Sequence, residues 1–246
     1  MLEHDIIQPS NSEYWHSTVV LVKKKNNQYR FACDYVKVTI LMSFPLPHLE
    51  SVFDVIGDAK AQYFSNLDLM SGFWQMELEE ESKKKAAFIT QAGVYEWKRM
   101  PFGLTNSPIS FQTLMSNVLR GLKWKSVLVY VDDNLIFSRT FEEHLLHLGQ
   151  VFDRLREANL TLHPSKCHFA LKKLKFLGHI ISRNGVQVDP DKTRAMSEFP
   201  VPKTQKQVSS FLGMANYYRK FIQDFAKLAH PLNALLSKDK RFCLVK

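Results

Sequence analysis

The feature that most constrains the fold is a pair of aspartates set inside the most apolar stretch of the chain. Asp132 and Asp133 separate two short runs of apolar residues, 126–131 and 135–137. Short apolar runs on either side of polar turn residues predict two antiparallel strands joined by a tight turn. Strands this apolar belong in a core, so the turn is expected to carry both carboxylates to one end of a buried sheet.

A third carboxylate has a similar setting. Asp68 lies in the apolar run 63–69, which predicts a strand leading into a Ser71-Gly72 turn. If this strand and the 126–137 hairpin share one antiparallel sheet, the three acids meet at one end. Their repulsion then favours a bound cation. Oxygen ligands without a nearby His or Cys select Mg²⁺ or Mn²⁺, which favours two-metal phosphoryl transfer.

Each acid also has a purely structural interpretation. Asp and Asn are common turn formers, so Asp-Asp-Asn between two strands is most often only a turn. Asp68 by itself could be a strand-end residue that pairs with a lysine. Only the combination of the three favours a catalytic site.

Short strands and helices make up the rest of the pattern. Hairpins are predicted at 18–33, with a basic tip, at 86–97 and at 176–188. Helices are predicted from Leu49, from Ser107 with its hydroxyl as a cap, from Thr140 with Glu143 in a capping box, and from Thr204 with Gln207.

Charge and cysteine content limit the partners. The 246 residues carry a net charge of +9, and all of the excess lies after Phe137, where 19 basic residues face 9 acidic ones. This asymmetry suggests a polyanion partner, although a solvated basic surface is an equal alternative. Three separated cysteines indicate neither a disulfide framework nor a zinc site. No apolar run of about 20 residues predicts a membrane span, so we expect a soluble, intracellular protein.

Seven segments of the chain, in order, match the motifs of one family. They are VVLVKKKNNQYRFACDY (19–35), FSNLDLMSGFWQMEL (64–78), MPFGLTNSPISFQTLM (100–115), VLVYVDDNLIFS (127–138), 142–169, KFLGHIISRNGVQVDPDK (175–192) and SFLGMANYYRKFI (210–222). A four-residue motif such as YVDD is weak evidence by itself, whereas MPFGLTNSP and FLGHIIS are long and specific. From Thr18 to about Leu236 the chain therefore resembles the reverse transcriptase of gypsy-type long-terminal-repeat retrotransposons.

The resemblance implies an α+β fold of the right-hand polymerase type. Its parts would be partial fingers over 1–62, a palm core with a fingers insertion over 63–140, the C-terminal palm and primer-grip hairpin over 141–185, and a helical thumb with the start of the connection over 186–246. The chain would correspond to one domain of the family's Pol polyprotein, as a fragment or a decayed genomic copy.

The resemblance also assigns roles to residues. Asp68, Asp132 and Asp133 would hold two Mg²⁺ or Mn²⁺ ions, with the Leu69 carbonyl completing one shell. The remaining matches are Lys24 and Arg30 for the triphosphate, Phe73 for the gate against a 2′-hydroxyl, Phe102 for the floor of the nucleotide pocket, and Phe176, Leu177, Gly178 and His179 for the primer grip. Without the resemblance, a solvated turn suits Lys24 and Arg30, and a core aromatic suits Phe73.

The implied partners are deoxynucleoside triphosphates and a primed RNA or DNA template. Basic residues in the C-terminal part would contact duplex phosphates without reading sequence. They are Lys166, Lys172, Lys173, Lys175, Arg219 and Lys220.

One departure from the family pattern leaves alternatives open. Asp34-Tyr35 runs directly into 36–39, where the family has an arginine and a Leu-Asn pair first. Truncated fingers would leave a catalytically silent nucleic-acid binder as the second hypothesis. An RNA-templated RNA polymerase is the third, and Phe73 argues against it.

Overall fold

The computed structural model describes residues 1–12, 16–23, 27–35 and 47–236. The chain divides into two compact units, residues 1–172 and residues 173–246. The finer division into fingers, palm and thumb stays a prediction. Within the described ranges, no helix combines the length and the apolar character needed to cross a membrane.

Where the structure describes the N-terminal unit, its strands form three antiparallel sheets. They are a hairpin of β2 and β3, a sheet in the order β1-β6-β5, and a sheet in the order β7-β8-β4-β9. The strands are β1 (Ile7–Pro9), β2 (Val19–Lys23), β3 (Tyr29–Cys33), β4 (Tyr63–Leu67), β5 (Phe88–Thr90), β6 (Gly93–Trp97), β7 (Val127–Tyr130), β8 (Asp133–Ser138) and β9 (His168–Leu171). The predicted hairpins at 18–33 and 86–97 are confirmed.

Four helices and two short 3₁₀ turns complete the described part of this unit. The helices are α1 (Leu49–Asp58), α2 (Glu80–Lys85), α3 (Ser107–Val118) and α4 (Phe141–Glu157), and the 3₁₀ turns are Gly72–Gln75 and Pro164–Lys166.

The four-stranded sheet and two helices enclose the main core. The apolar runs predicted at 63–69 and 126–137 become β4, β7 and β8, and one face of them is buried with α3 and α4. Fully buried side chains of this size stabilise a fold by about 1.5–3 kcal/mol each. They include Leu67, Phe111, Met115, Val127 and Ile136.

The helix starts follow from capping, with one correction. The Thr140 hydroxyl accepts a hydrogen bond from the Glu143 N–H at the start of α4, as predicted. The predicted capping role of Ser107 is wrong, because Asn106 is the N-cap residue and no side chain caps α3. Instead, the Ser107 hydroxyl donates to the Pro101 carbonyl at 3.0 Å and ties α3 to the preceding loop.

Over residues 173–236 the C-terminal unit forms a small sheet followed by helices. Its strands are β10 (Lys173–Phe176), β11 (His179–Ser182) and β12 (Gly185–Val188), paired in that order. Its helices are α5 (Pro190–Ser197), α6 (Gln205–Tyr217) and α7 (Phe225–Ala234), with a 3₁₀ turn at Arg219–Phe221. Thr204 caps α6 through the Gln207 N–H, as predicted.

The structure corrects the prediction of one strand from Phe176 to Ser182. Leu177 and Gly178 both have positive φ, 48° and 75°, and they form a tight turn between β10 and β11. The period-2 apolar pattern continues across this turn, so the sequence pattern alone hides the reversal.

Candidate active site

A tight turn carries the acidic pair. β7 and β8 pair as Tyr130 with Asp133, which leaves Val131 and Asp132 as the two turn residues. Val131 has a φ of 51° and Asp132 does not share this positive φ, which is the pattern of a type II′ turn. Glycine usually occupies the first position, so valine there carries strain of about 1–3 kcal/mol. Strain of this kind concentrates at functional sites.

The sheet register places Asp68 beside this turn. Leu67, the last residue of β4, pairs with Asn134 of β8, so Asp68 and Asp133 occupy the next positions at the same end of the sheet. The Asp68 carbonyl accepts a hydrogen bond from the His163 N–H at 2.8 Å. Its carboxylate lies 3.3 Å from the Lys166 ammonium.

The three acids influence one another electrostatically. The pKa of Asp132 is raised above its usual range, first by loss of hydration and then by the negative charges of Asp133 and Asp68. Arg30 and Lys166 act in the opposite direction. Burial also raises the pKa of Asp133, and a hydrogen bond from Asn66 opposes that shift. A cluster of repelling carboxylates attracts cations.

The donor set suits a divalent cation that brings most of its own ligands. Among the described residues, no three His, Cys, Asp or Glu side chains form a ready-made metal-binding group. Mg²⁺ needs no such cage, because it keeps several waters and takes one or two carboxylates together with substrate phosphates. Carboxylates of Asp68 and Asp132 on the wall of an open cavity fit that mode of binding.

The cavity next to the acids has a volume of about 670 Å³. Its lining includes Asp68, Asp132, Leu69, Arg30 and Phe102. The cavity therefore combines negative groups, a fixed positive group and an apolar surface.

Aromatic rings in tilted and edge-to-face contact form that apolar surface. The Phe73 ring lies 5.1 Å from the Phe102 ring and 5.6 Å from the Phe111 ring, between centroids. The Arg30 guanidinium lies 4.7 Å above the Phe102 ring in a cation–π contact. Phe73 is only 7% exposed, yet it lines the cavity, so it is a core aromatic and a pocket wall at once.

Two glycines allow the close approaches on which this wall depends. A Cβ on Gly72 would lie 2.7 Å from the Phe111 ring, and a Cβ on Gly103 would lie 2.0 Å from the Cys33 carbonyl oxygen. Gly103 also has a φ of 111°. The Cys33 N–H donates to the Phe102 carbonyl at 3.2 Å. The loop that bears Phe102 is therefore fixed against β3, the strand that bears Arg30.

The structure does not test the remaining predicted residues. Lys24 falls outside the described residues. Phe176, Leu177, Gly178 and His179 belong to the C-terminal unit, at the turn between β10 and β11. The buried His179 ring packs near Phe221, 5.6 Å between centroids.

Sequence reasoning missed two residues at the site. Lys166 was expected on duplex phosphates, but its ammonium pairs with Asp68, which is 98 positions away in the sequence. Gln112 on α3 hydrogen-bonds to the strand and turn that bear Asp132. A glutamine next to the apolar stripe of α3 was a visible signal, whereas nothing in the sequence links Lys166 to Asp68.

Comparison with known proteins identifies the class. The profile of the family described as reverse transcriptase (RNA-dependent DNA polymerase) matches residues 22–181. The chain therefore belongs to the reverse transcriptase family.

Relatives narrow the class to retrotransposon polyproteins. The chain is 43% identical over 245 residues to the retrovirus-related Pol polyprotein from transposon 297 of Drosophila melanogaster, covering 97% of this chain and 23% of that protein. It is 38% identical over 244 residues to the corresponding protein of transposon gypsy, also from Drosophila melanogaster, covering 96% and 23%. The chain thus spans about a quarter of the length of these relatives. The expected gypsy-type relationship is confirmed.

Solved structures of reverse transcriptases share the fold of this chain. A foamy viral protease-reverse transcriptase in complex with double-stranded DNA superposes with a TM-score of 0.85 at 27% identity, covering 97% of this chain and 42% of that chain. A foamy viral protease-reverse transcriptase in complex with an RNA/DNA hybrid superposes with a TM-score of 0.78 at 26% identity, covering 98% of this chain and 32% of that chain. The predicted α+β polymerase fold is confirmed.

Proposed function

We propose that this chain is the RNA-directed DNA polymerase domain of a retroelement polyprotein and that it extends a primer with deoxynucleotides. The observation that carries the proposal is one cavity that combines Asp68, Asp132, a cationic Arg30 and an aromatic wall. A turn that served only to connect strands would need neither the repelling charges nor the strained Val131.

Asp68, Asp132 and Asp133, with the Leu69 carbonyl, would hold two Mg²⁺ or Mn²⁺ ions. These ions would lower the pKa of the attacking hydroxyl and stabilise the charge on the leaving oxygens. The contribution of these three aspartates is to hold three negative charges at one end of a rigid sheet, although the charges repel one another.

In the proposed reaction the primer 3′-oxygen forms a bond to the nucleotide α-phosphorus. The bond from that phosphorus to the β-phosphate bridging oxygen breaks, and pyrophosphate leaves. Arg30 would contact the triphosphate, and the contact of its guanidinium with the Phe102 ring, together with its position in the cavity lining, supports this role. The role of Lys24 in the same clamp stays a prediction.

Phe73 supports deoxynucleotides as the substrates. Its ring is fixed by Phe102 and Phe111 and cannot move into the core to make room. A rigid ring beneath the sugar would exclude a 2′-hydroxyl by steric contact.

A primed template is the proposed partner. The foamy viral structures, by their titles, hold double-stranded DNA and an RNA/DNA hybrid, and they share the fold of this chain. The net charge of +10 after Phe137 favours such a polyanion. The primer-grip role of Phe176, Leu177, Gly178 and His179 stays a prediction, as does an intracellular location.

Primer extension on an RNA template tests the proposal. The wild-type chain should incorporate deoxynucleotides in the presence of Mg²⁺ and discriminate against ribonucleotides. Asp132→Asn should abolish incorporation while the fold is retained. The matched control is Asp153→Asn, which makes the same change on the exposed face of α4.

Three results would reject or revise the proposal. Incorporation that survives Asp132→Asn would reject the site. Salt-sensitive duplex binding without any incorporation would favour the silent nucleic-acid binder. Equal use of ribonucleotides would favour an RNA polymerase and remove the proposed role of Phe73.

A further inference from the structure

We propose that Gln112 is a positioning residue that holds the acidic turn in its left-handed backbone conformation. The inference rests on the proposed function, because that turn carries Asp132 and Asp133. It goes further by assigning the geometry of the turn to a side chain on a different element.

Gln112 is a polar side chain in an apolar place. It is fully buried on α3, between the equally buried Phe111 and Met115. Buried amides are found where their hydrogen bonds are made. Here both ends of the amide are used: Nε2 donates to the Val129 carbonyl at 3.1 Å, and Oε1 accepts from the Val131 N–H at 2.5 Å.

The position of β7 explains why these two backbone groups need a partner. β7 is an edge strand of the sheet β7-β8-β4-β9. Backbone groups on the outer side of an edge strand have no neighbouring strand to bond. Val129 and Val131 are two positions apart, so their backbone groups point to the same side of β7, away from β8. Tyr130, between them, pairs with Asp133 of β8. Gln112 therefore takes the place of a further strand.

The bond to Val131 falls on the strained residue itself. Val131 has a φ of 51°, a conformation that a β-branched residue adopts only when its surroundings impose it. Among the described contacts of the Val131 N–H, the bond to Gln112 is the one that fixes the peptide plane there. Without it, Val131 is expected to relax to negative φ, which would turn the next residue, Asp132, away from Asp68.

The chemistry of the amide ranks the possible substitutions. Glutamate matches glutamine in shape and keeps an acceptor for the Val131 N–H, but it cannot donate to Val129 when ionised. Methionine matches the length and offers neither partner. The proposal therefore predicts the order glutamine, then glutamate, then methionine in how well Asp132 is placed.

Kinetics form the first part of the test. Gln112→Met should lower kcat for primer extension by about 10- to 100-fold, the scale of a misplacement of about 1 Å. It should also raise the Mg²⁺ concentration needed for half-maximal rate several-fold, with a smaller change in the KM for deoxynucleotide. The loss of kcat in Gln112→Glu should be smaller than in Gln112→Met. Gln150→Met, on the exposed face of α4, is the matched control and should behave as the wild type.

A second substitution separates positioning from general damage. Glycine adopts positive φ without cost, so Val131→Gly should make the turn less dependent on Gln112. In the Gln112→Met background, Val131→Gly should recover a large part of the lost kcat. A general packing defect at Gln112 would not be repaired by this change, so absence of any recovery overturns the proposal.

Hydrogen exchange gives a readout that does not depend on activity. The Val131 amide should be protected in the wild type and in Gln112→Glu, and it should exchange at least about 10-fold faster in Gln112→Met. If the wild type proves inactive, the proposed function fails while this measurement still tests the Gln112 contact. Equal protection in all three proteins, or unchanged kcat and Mg²⁺ dependence in Gln112→Met, overturns the proposal. Should Gln112→Met not fold, Gln112→Glu carries the kinetic comparison and its repair by Val131→Gly. Because its Val131 amide should stay protected, unchanged kcat and Mg²⁺ dependence in Gln112→Glu then overturn the proposal.

Discussion

The two ends of strands β4 and β8 differ in how their polar groups are satisfied. Towards one end, Ser138 and the mid-strand Ser65 share a buried hydrogen-bond network with His144 of α4. At the other end, Asp68, Asp132 and Asp133 repel one another around a strained turn. The same two strands thus carry a set of polar groups that stabilise each other and a set that do not.

The histidine end is closed and mutually satisfied. His144 is fully buried, with Nε2 2.6 Å from the Ser65 hydroxyl and Nδ1 2.9 Å from the Ser138 hydroxyl. Ser65 also accepts a hydrogen bond from the Ala170 N–H at 2.9 Å, where β9 shifts its register against β4. This network joins α4, β4, β8 and β9, which is a structural task.

The acidic end has the opposite character. The pKa values of Asp132 and Asp133 are both raised, Val131 is strained, and within the described structure the buried Asn134 Oδ1 has no hydrogen-bond partner. These features cost stability, and a fold keeps them where function requires them. The comparison therefore predicts that substitutions at the two ends change activity and stability in opposite patterns.

The largest expected effect is the loss of activity at the acidic end. Asp133→Asn should lower primer extension by about 100-fold or more, the scale for removing an electrostatic contact to a transition state. In metal-free buffer the same change should raise the free energy of unfolding by up to about 1 kcal/mol, because it removes a partly desolvated charge. Urea unfolding and primer extension on the same preparations would show this, and a substitution that lowers both quantities would contradict the comparison.

A smaller effect, on stability alone, is expected at the histidine end. His144→Leu removes one hydrogen-bond partner from each of the Ser65 and Ser138 hydroxyls, while Ser65 keeps the Ala170 N–H and Ser138 keeps His147. The free energy of unfolding should fall by about 1–3 kcal/mol. The activity of the folded fraction should stay within a factor of about two. His168→Gln, at an exposed position on β9, is the control. A selective loss of kcat in His144→Leu would mean that the two ends are coupled.

The pH dependence should give the smallest effect. Burial lowers the pKa of His144 to about 4, from an ordinary value of 6.5. A depressed histidine pKa means that the unfolded chain takes up the proton first, so stability is complete above about pH 6.5 and is lost as the pH falls towards 4. Between pH 7 and pH 5 the loss from this group should be roughly 1–2 kcal/mol. Urea unfolding at the two pH values should show this decrease for the wild type, and a much smaller one for His144→Leu.

Local patterns in the sequence determined the elements and the chemistry of the site. Several features depend on residues that are close together in the chain, so local sequence rules predict them. They are the Asp-Asp turn between apolar runs, the Thr140 and Thr204 caps and the first two hairpins. The family motifs then gave the expected roles of Asp68, Arg30, Phe73 and Phe102. At Leu177 and Gly178 the alternating apolar pattern continues across a reversal of the chain direction, and the local rule failed there.

Only the tertiary structure decided which distant groups meet. Three contacts join residues that lie 19 to 98 positions apart in the sequence. They are the ion pair of Lys166 with Asp68, the cation–π contact of Arg30 with Phe102 and the hydrogen bond of Gln112 with Val131. Sheet register and helix packing set these distances, and no periodicity along the chain encodes them. The residue types fixed which chemistry was available, and the packing fixed which charges had to face one another.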